Sequence, residues 1–158
     1  MSVTEPATPR PAEPALHASF ALEYPYTRST GPLLGAYLRG LADRKIHGVR
    51  SETAGIICPP QEYDPNTSAT LTELVEVGDA GEVTTWTWVT EPKPGQPLDH
   101  PFAFALIRLD GADTAMLHAV DAASPDRMST GMRVTARWAD ERVGDIADLV
   151  CFDPEDEA

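Results

Sequence analysis

From residue 70 to residue 152 the chain is a series of short alternating runs cut by Gly, Pro and Asp turns, and few folds accept that pattern. Met132–Trp138 is the clearest run. Met132, Val134, Ala136 and Trp138 project to one side and Arg133, Thr135 and Arg137 to the other, the period-two signature of a half-buried strand. Runs over Leu71–Val77 and Glu82–Thr90 flank Gly78-Asp79-Ala80-Gly81, a turn or bulge. Phe102–Leu109 and Thr114–Asp121 flank the hairpin-type turn Asp110-Gly111, and Ile146–Phe152 closes the series. Pro92–Pro101 cannot pair as a central strand, and Ala123–Gly131 interrupts the alternation. An all-β unit of about 85 residues has edges to protect, and closure into a barrel removes them. The expected fold is mainly β, with a five-stranded Greek-key barrel of OB type over residues 70–153; an open sandwich is the alternative.

The N-terminal third reads differently. Residues 1–19 are rich in Pro, Ala, Glu and Thr and are expected to be a disordered arm, and residues 154–158 to be a frayed acidic tail. Phe20–Tyr26 is an extended aromatic stretch kept out of a helix by Pro25. A helix is predicted over Gly31–Arg44, with Thr30 as its cap and Pro32 in its first turn. Leu33, Leu34, Tyr37, Leu38 and Leu41 form one apolar stripe. Gly35 and Gly40 each cost such a helix up to about 1 kcal/mol relative to alanine, so it depends on docking for stability.

The net charge is −13, and the halves differ: residues 1–50 carry six Lys/Arg against four Asp/Glu, residues 51–158 six against 21. An acidic body repels phosphate backbones, which argues against a nucleic-acid partner. No apolar run is long enough to span a membrane and the first residues lack a signal-type apolar core, so a cytoplasmic protein is expected, with Cys58 and Cys151 as reduced, buried thiols. Arg39, Arg44, Lys45 and Arg50 form a local basic group opposed only by Asp43. A solvated helix end explains them simply; the phosphates of a carrier such as coenzyme A are the sharper alternative.

A catalytic constellation is hard to assemble. His17, His47 and His100 lie in the arm, near the helix end and in the proline loop, and His118 sits in an apolar strand where a structural role is expected. Ser124 to Asp126 and Ser129-Thr130 are turn chemistry, and no nucleophile-elbow, phosphate-loop, dinucleotide or zinc-protease spacing occurs. Trp86 and Trp88 share one strand face, as core or interface aromatics rather than a base-stacking platform.

The segment Gly48–Thr67, GVRSETAGIICPPQEYDPNT, has the layout of two knuckles of a small zinc ribbon with Ser51, Ala54, Asp64 and Thr67 near the ligand positions. Structural zinc wants four Cys or His ligands, so bound metal is not expected. With this hairpin, the helix, and the runs CPPQEYDP at Cys58–Pro65, VGDAGEVTTWTWV at Val77–Val89, PFAFALIRLDG at Pro101–Gly111, LHAV at Leu117–Val120 and TGMRVTARW at Thr130–Trp138, residues 20–153 resemble a known family. It is the OB-fold proteins with a rubredoxin-like zinc ribbon that accompany thiolase-type enzymes, long filed as a domain of unknown function. The resemblance implies a non-catalytic subunit of a thiolase-like acyl-CoA thiolase or aldolase, in sterol side-chain or other lipid degradation, assembled as two plus two. It implies docking by the segment 20–69, through Tyr24, Tyr26, Leu34, Tyr37, Leu38, Leu41, Pro59, Pro60 and Tyr63, with the barrel beside the acyl-CoA entrance. Zinc binding does not carry over, because all four cysteine positions differ. A free-standing acyl-CoA binding module is the alternative function, and an independent hydrolase the weakest.

Overall fold

The computed structural model describes residues 19–27 and 29–155, so residues 1–18 of the predicted arm 1–19 and the last three residues of the tail 154–158 lie outside the described residues. One helix, α1 (Gly31–Ala42), is followed by β1 (Ile46–Ser51), β2 (Gly55–Ile57), β3 (Leu74–Val77), β4 (Ala80–Val89), β5 (Phe102–Leu109), β6 (Met116–Val120), β7 (Arg133–Trp138) and β8 (Leu149–Pro154). Strands β4–β8 close into a five-stranded barrel in the order β4-β5-β6-β8-β7. All its pairings are antiparallel except β6 with β8, where Val120 opposes Phe152. The expected OB-type closed barrel is what forms.

The inward positions are those the alternation picks out. Val83, Ile107, Leu109, Val120, Val134, Leu149 and Phe152 are buried, and Met132, Ala136 and Trp138 pack against them from the predicted side of β7. Trp86 and Trp88 pack half-buried against the same cluster, as core aromatics. Ile146–Asp148, read as the start of the last strand, is a single 3₁₀ turn. Asp148 supplies the reason: its carboxylate accepts the amides of Val143, Gly144 and Asp145, which curls the chain before β8 begins.

The largest difference from the sequence reading concerns β3. Its residues alternate like a barrel strand, yet they pair with β1 in a separate three-stranded sheet of order β2-β1-β3. Gly48 explains the choice. It opposes Val75, and a side chain there would meet Ile56 Cγ2 at 2.7 Å and Ile57 O at 2.9 Å. Only a bare backbone lets β1 be the central strand between two neighbours. Two turn residues join this sheet to the barrel. Asp113 accepts the Ile56 amide at 2.7 Å, and Thr114 Oγ1 accepts the Cys58 amide at 2.8 Å and donates to the Cys58 carbonyl at 3.1 Å. Gly55, at φ 69°, runs so close to Asp113 that a Cβ would overlap its carboxylate.

Helix α1 closes the top of the core. The Thr30 side chain makes no capping bond; Ser29 Oγ instead accepts the Gly31 amide at 3.2 Å. At the other end, Arg142 Nε donates to the Ala42 carbonyl at 3.0 Å, tying the helix C-terminus to the barrel loop between β7 and β8.

Candidate docking site

The apolar stripe of α1 divides between two surfaces. Tyr37 and Leu41 are buried in the main core cluster with Ile46 and the barrel residues, and Leu33 is buried with Val49 and Ile57. Tyr37 and Leu41 are therefore corrected from partner-facing to structural, because their contacts are with the chain itself. Pro60 is buried as well and is corrected likewise. Leu34 and Leu38 remain half-buried, and Pro59 and Tyr63 are exposed, Tyr63 by 57%.

Pro32, Leu33 and Ala36 of α1 face Tyr63, Leu71 and Leu74 across a groove of about 480 Å³. The hairpin forming its far wall holds its shape by the pairing of Tyr63 with Thr70 and the bond from the Leu71 amide to the Glu62 carbonyl at 2.9 Å. Ahead of the helix, Phe20, Leu22, Tyr24 and Tyr26 are 67–86% exposed, with Tyr24 and Tyr26 rings 6.2 Å apart. Four large apolar side chains in seven residues is more than an isolated surface segment ordinarily shows to water.

The basic group does not converge. Lys45 Nζ pairs with Glu76 at 3.3 Å and Arg50 Nε with Glu73 at 2.7 Å, both across the β1–β3 pairing. Both pairs are solvent-exposed, and Arg39 and Arg44 are exposed at the helix end.

The ribbon-like segment is built from two turns of the same design. Ser51 Oγ accepts the amides of Thr53 at 3.1 Å and Ala54 at 2.9 Å. Asp64 Oδ1 accepts those of Asn66 and Thr67, both at 2.9 Å. The turns face one another. Ser51 Oγ donates to Asp64 Oδ2, Thr53 Oγ1 lies 2.8 Å from the same oxygen, and Asn66 Nδ2 donates to Thr53 Oγ1 at 2.9 Å. Asp64 is only 4% exposed, and the Ser51 hydroxyl, with Thr53 and the two amides, holds its carboxyl well below the usual carboxylate range. Two hydroxyls and one carboxylate, without thiolate or imidazole, do not fit structural zinc. Cys58, the nearest thiol in sequence, is 2% exposed, pushed up to about 12 by burial, and directed at the His47 carbonyl.

Elsewhere, Asp121, Cys151 and Asp153 cluster on the barrel, a grouping the sequence reading missed because β6 and β8 are brought together only by the parallel pairing. Arg137 already serves as their cation, with Nη1 3.0 Å from Asp121 and Nε 2.9 Å from Asp153. His118 stacks edge-on against Phe152, and burial lowers its pKa. It is a core histidine, with no partner for Nδ1 among the described residues.

A closed five-stranded barrel carrying one parallel pair, preceded by a helix and a small three-stranded sheet, defines an OB-fold protein with an N-terminal appendage. Residues 74–139 match the family described as "ChsH2, C-terminal OB-fold domain", so the resemblance read from the sequence is borne out over those residues, which hold barrel strands β4–β7. Among solved structures, a chain of the Ltp2-ChsH2(DUF35) aldolase is similar at 19% identity and TM-score 0.54, over 75% of this chain and 91% of that one. A DUF35-family protein of unknown function from Sulfolobus solfataricus is similar at 24% identity and TM-score 0.53, over 68% of this chain and 78% of that one. No curated protein matches the sequence.

Proposed function

We propose that this protein is a non-catalytic subunit that docks on a thiolase-like enzyme through its N-terminal third, with the barrel beside the acyl-CoA entrance. The observation that carries the reading is the N-terminal third's open apolar surface: the exposed arm Phe20–Tyr26 and the groove between α1 and the Tyr63 hairpin. A surface of this kind is covered by a partner in proteins that remain soluble. The Ltp2-ChsH2(DUF35) aldolase, which pairs a chain of this fold with a second protein, supports the class of partner. Residues Tyr24, Tyr26, Leu34, Leu38, Pro59 and Tyr63 form the interface in this reading. The assembly is two plus two, and its setting is a reducing cytoplasm in which Cys58 and Cys151 stay thiols.

Co-expression of the full chain with a thiolase-like enzyme of the Ltp2 kind from the same genome tests this. The two proteins are expected to co-elute at one mass, and Tyr24→Ser with Tyr26→Ser to separate them without changing the melting temperature of the chain. Separate elution of the two wild-type proteins, each monodisperse and stable, would overturn the proposal.

A further inference from the structure

We infer that a hydrogen-bonded carboxylate, Asp64, takes over in this chain the place that a metal ion holds in a zinc ribbon, and pins the same two turns together. The turns 51–54 and 64–67 are equivalent: in each, the first side chain collects the amides two and three residues further on. That is how a knuckle presents one acceptor atom inward. In a metal-bound ribbon the two acceptors would both bind the ion, and two more ligands would come from the fourth residue of each turn. Here those fourth residues, Ala54 and Thr67, contribute backbone amides. Two equal acceptors facing one another without an ion would repel or stay unpaired. The chain resolves this by making one acceptor a hydroxyl: Ser51 gives its proton to Asp64, and Thr53 adds a second donor to the same carboxylate. The negative charge is met by two hydroxyls and two amides, a full set for a buried carboxylate. The arrangement needs no cation, and an ion placed between the turns would have to displace the Ser51 proton. This inference concerns how the hairpin is held and stands apart from the partner assignment.

The test uses the full chain expressed with added zinc sulfate. Wild-type protein is expected to carry no stoichiometric zinc by elemental analysis and to melt at the same temperature with and without EDTA. Asp64→Asn keeps Oδ1 for the turn amides but sets an NH2 donor where Oδ2 accepts the Ser51 hydroxyl, and is expected to lower the melting temperature by several degrees. The variant carrying Ser51→Cys, Ala54→Cys, Asp64→Cys and Thr67→Cys is expected to bind one zinc per chain and to melt higher with zinc sulfate than without. That expectation includes the case in which it folds only with the metal. One zinc per wild-type chain, an unchanged melting temperature for Asp64→Asn, or a four-cysteine variant that takes up no zinc, folded or not, would each overturn the inference.

Discussion

Truncating Leu41 to alanine separates the two roles that one helical stripe could play. Leu41 is fully buried and packs in one cluster with Tyr37, Ile46 and the barrel residues Val83, Ile107 and Leu149. Removing its branched end forfeits the transfer energy and leaves a cavity, which together cost about 2–5 kcal/mol at buried leucines. The surroundings have little freedom to collapse. The barrel side is a closed hydrogen-bonded sheet, and Arg142 holds the helix end at the Ala42 carbonyl. A value in the middle, about 3 kcal/mol, is therefore expected. At roughly 3 °C per kcal/mol for a protein of this size, the melting temperature falls by on the order of 10 °C. Leu34, half-buried and outside all three core clusters, should cost under about 1 kcal/mol when truncated in the same way. Thermal and urea unfolding of the two variants, followed by circular dichroism, reads the contrast directly. Equal, small losses would refute the reasoning, because Leu41 would then not be part of the core that the packing describes.

Tyr37→Phe should be neutral or stabilising by up to about 1 kcal/mol in the same assay, since its buried hydroxyl has no partner among the described residues and removing an unmet polar group costs nothing. Acid should loosen the ribbon-like hairpin. Asp64 titrates below its unfolded value in the native state because of the Ser51 hydroxyl first and Thr53 and the turn amides after it, so its stabilisation is complete above about pH 4 and is lost as pH falls further. Proton exchange of the Asn66 and Thr67 amides should rise in that window relative to barrel amides, and Asp64→Asn should flatten the dependence. His100 acts in the opposite sense. Asp99, and then Asp121 at 3.1 Å, raise its pKa, so its hold on the proline loop is complete below about pH 6.5 and is lost as pH rises through the elevated native value. His100→Gln should remove that dependence from the hydrogen exchange of residues 95–100 while leaving the acid limb intact.

The barrel was legible because its strands are amphipathic with a period that admits one reading. Met132, Val134, Ala136 and Trp138 could only face inward together, and they do. Partner choice among strands was not legible to the same degree. Leu74–Val77 would satisfy a barrel as well as a second sheet, and the decision rests on Gly48, whose missing side chain lets β3 and β2 flank β1. At the hairpin, the resemblance pointed to positions 51, 54, 64 and 67, where this sequence has Ser, Ala, Asp and Thr. What replaces them follows only once two separate turns are seen to face each other, because a serine thirteen residues from an aspartate carries no pairing signal by itself.

The helix shows most plainly why the candidate site was half readable. Its stripe announces an apolar face, but a face has no address, and five side chains on a twelve-residue helix can serve a core and a partner at once. Gly40 holds the missing information in a form that sequence rules count as a defect. A Cβ there would lie 2.6 Å from the His47 ring and 3.0 Å from the Lys45 carbonyl, so the glycine that weakens the helix is also what lets β1 turn back tightly beneath it. That return buries Tyr37 and Leu41 against the chain's own barrel. It leaves Leu34, outside the core clusters, half open. A helix this short and this rich in glycine needs a surface to fold against, and here the small sheet takes Leu33 while Ile46 and the barrel core take Tyr37 and Leu41.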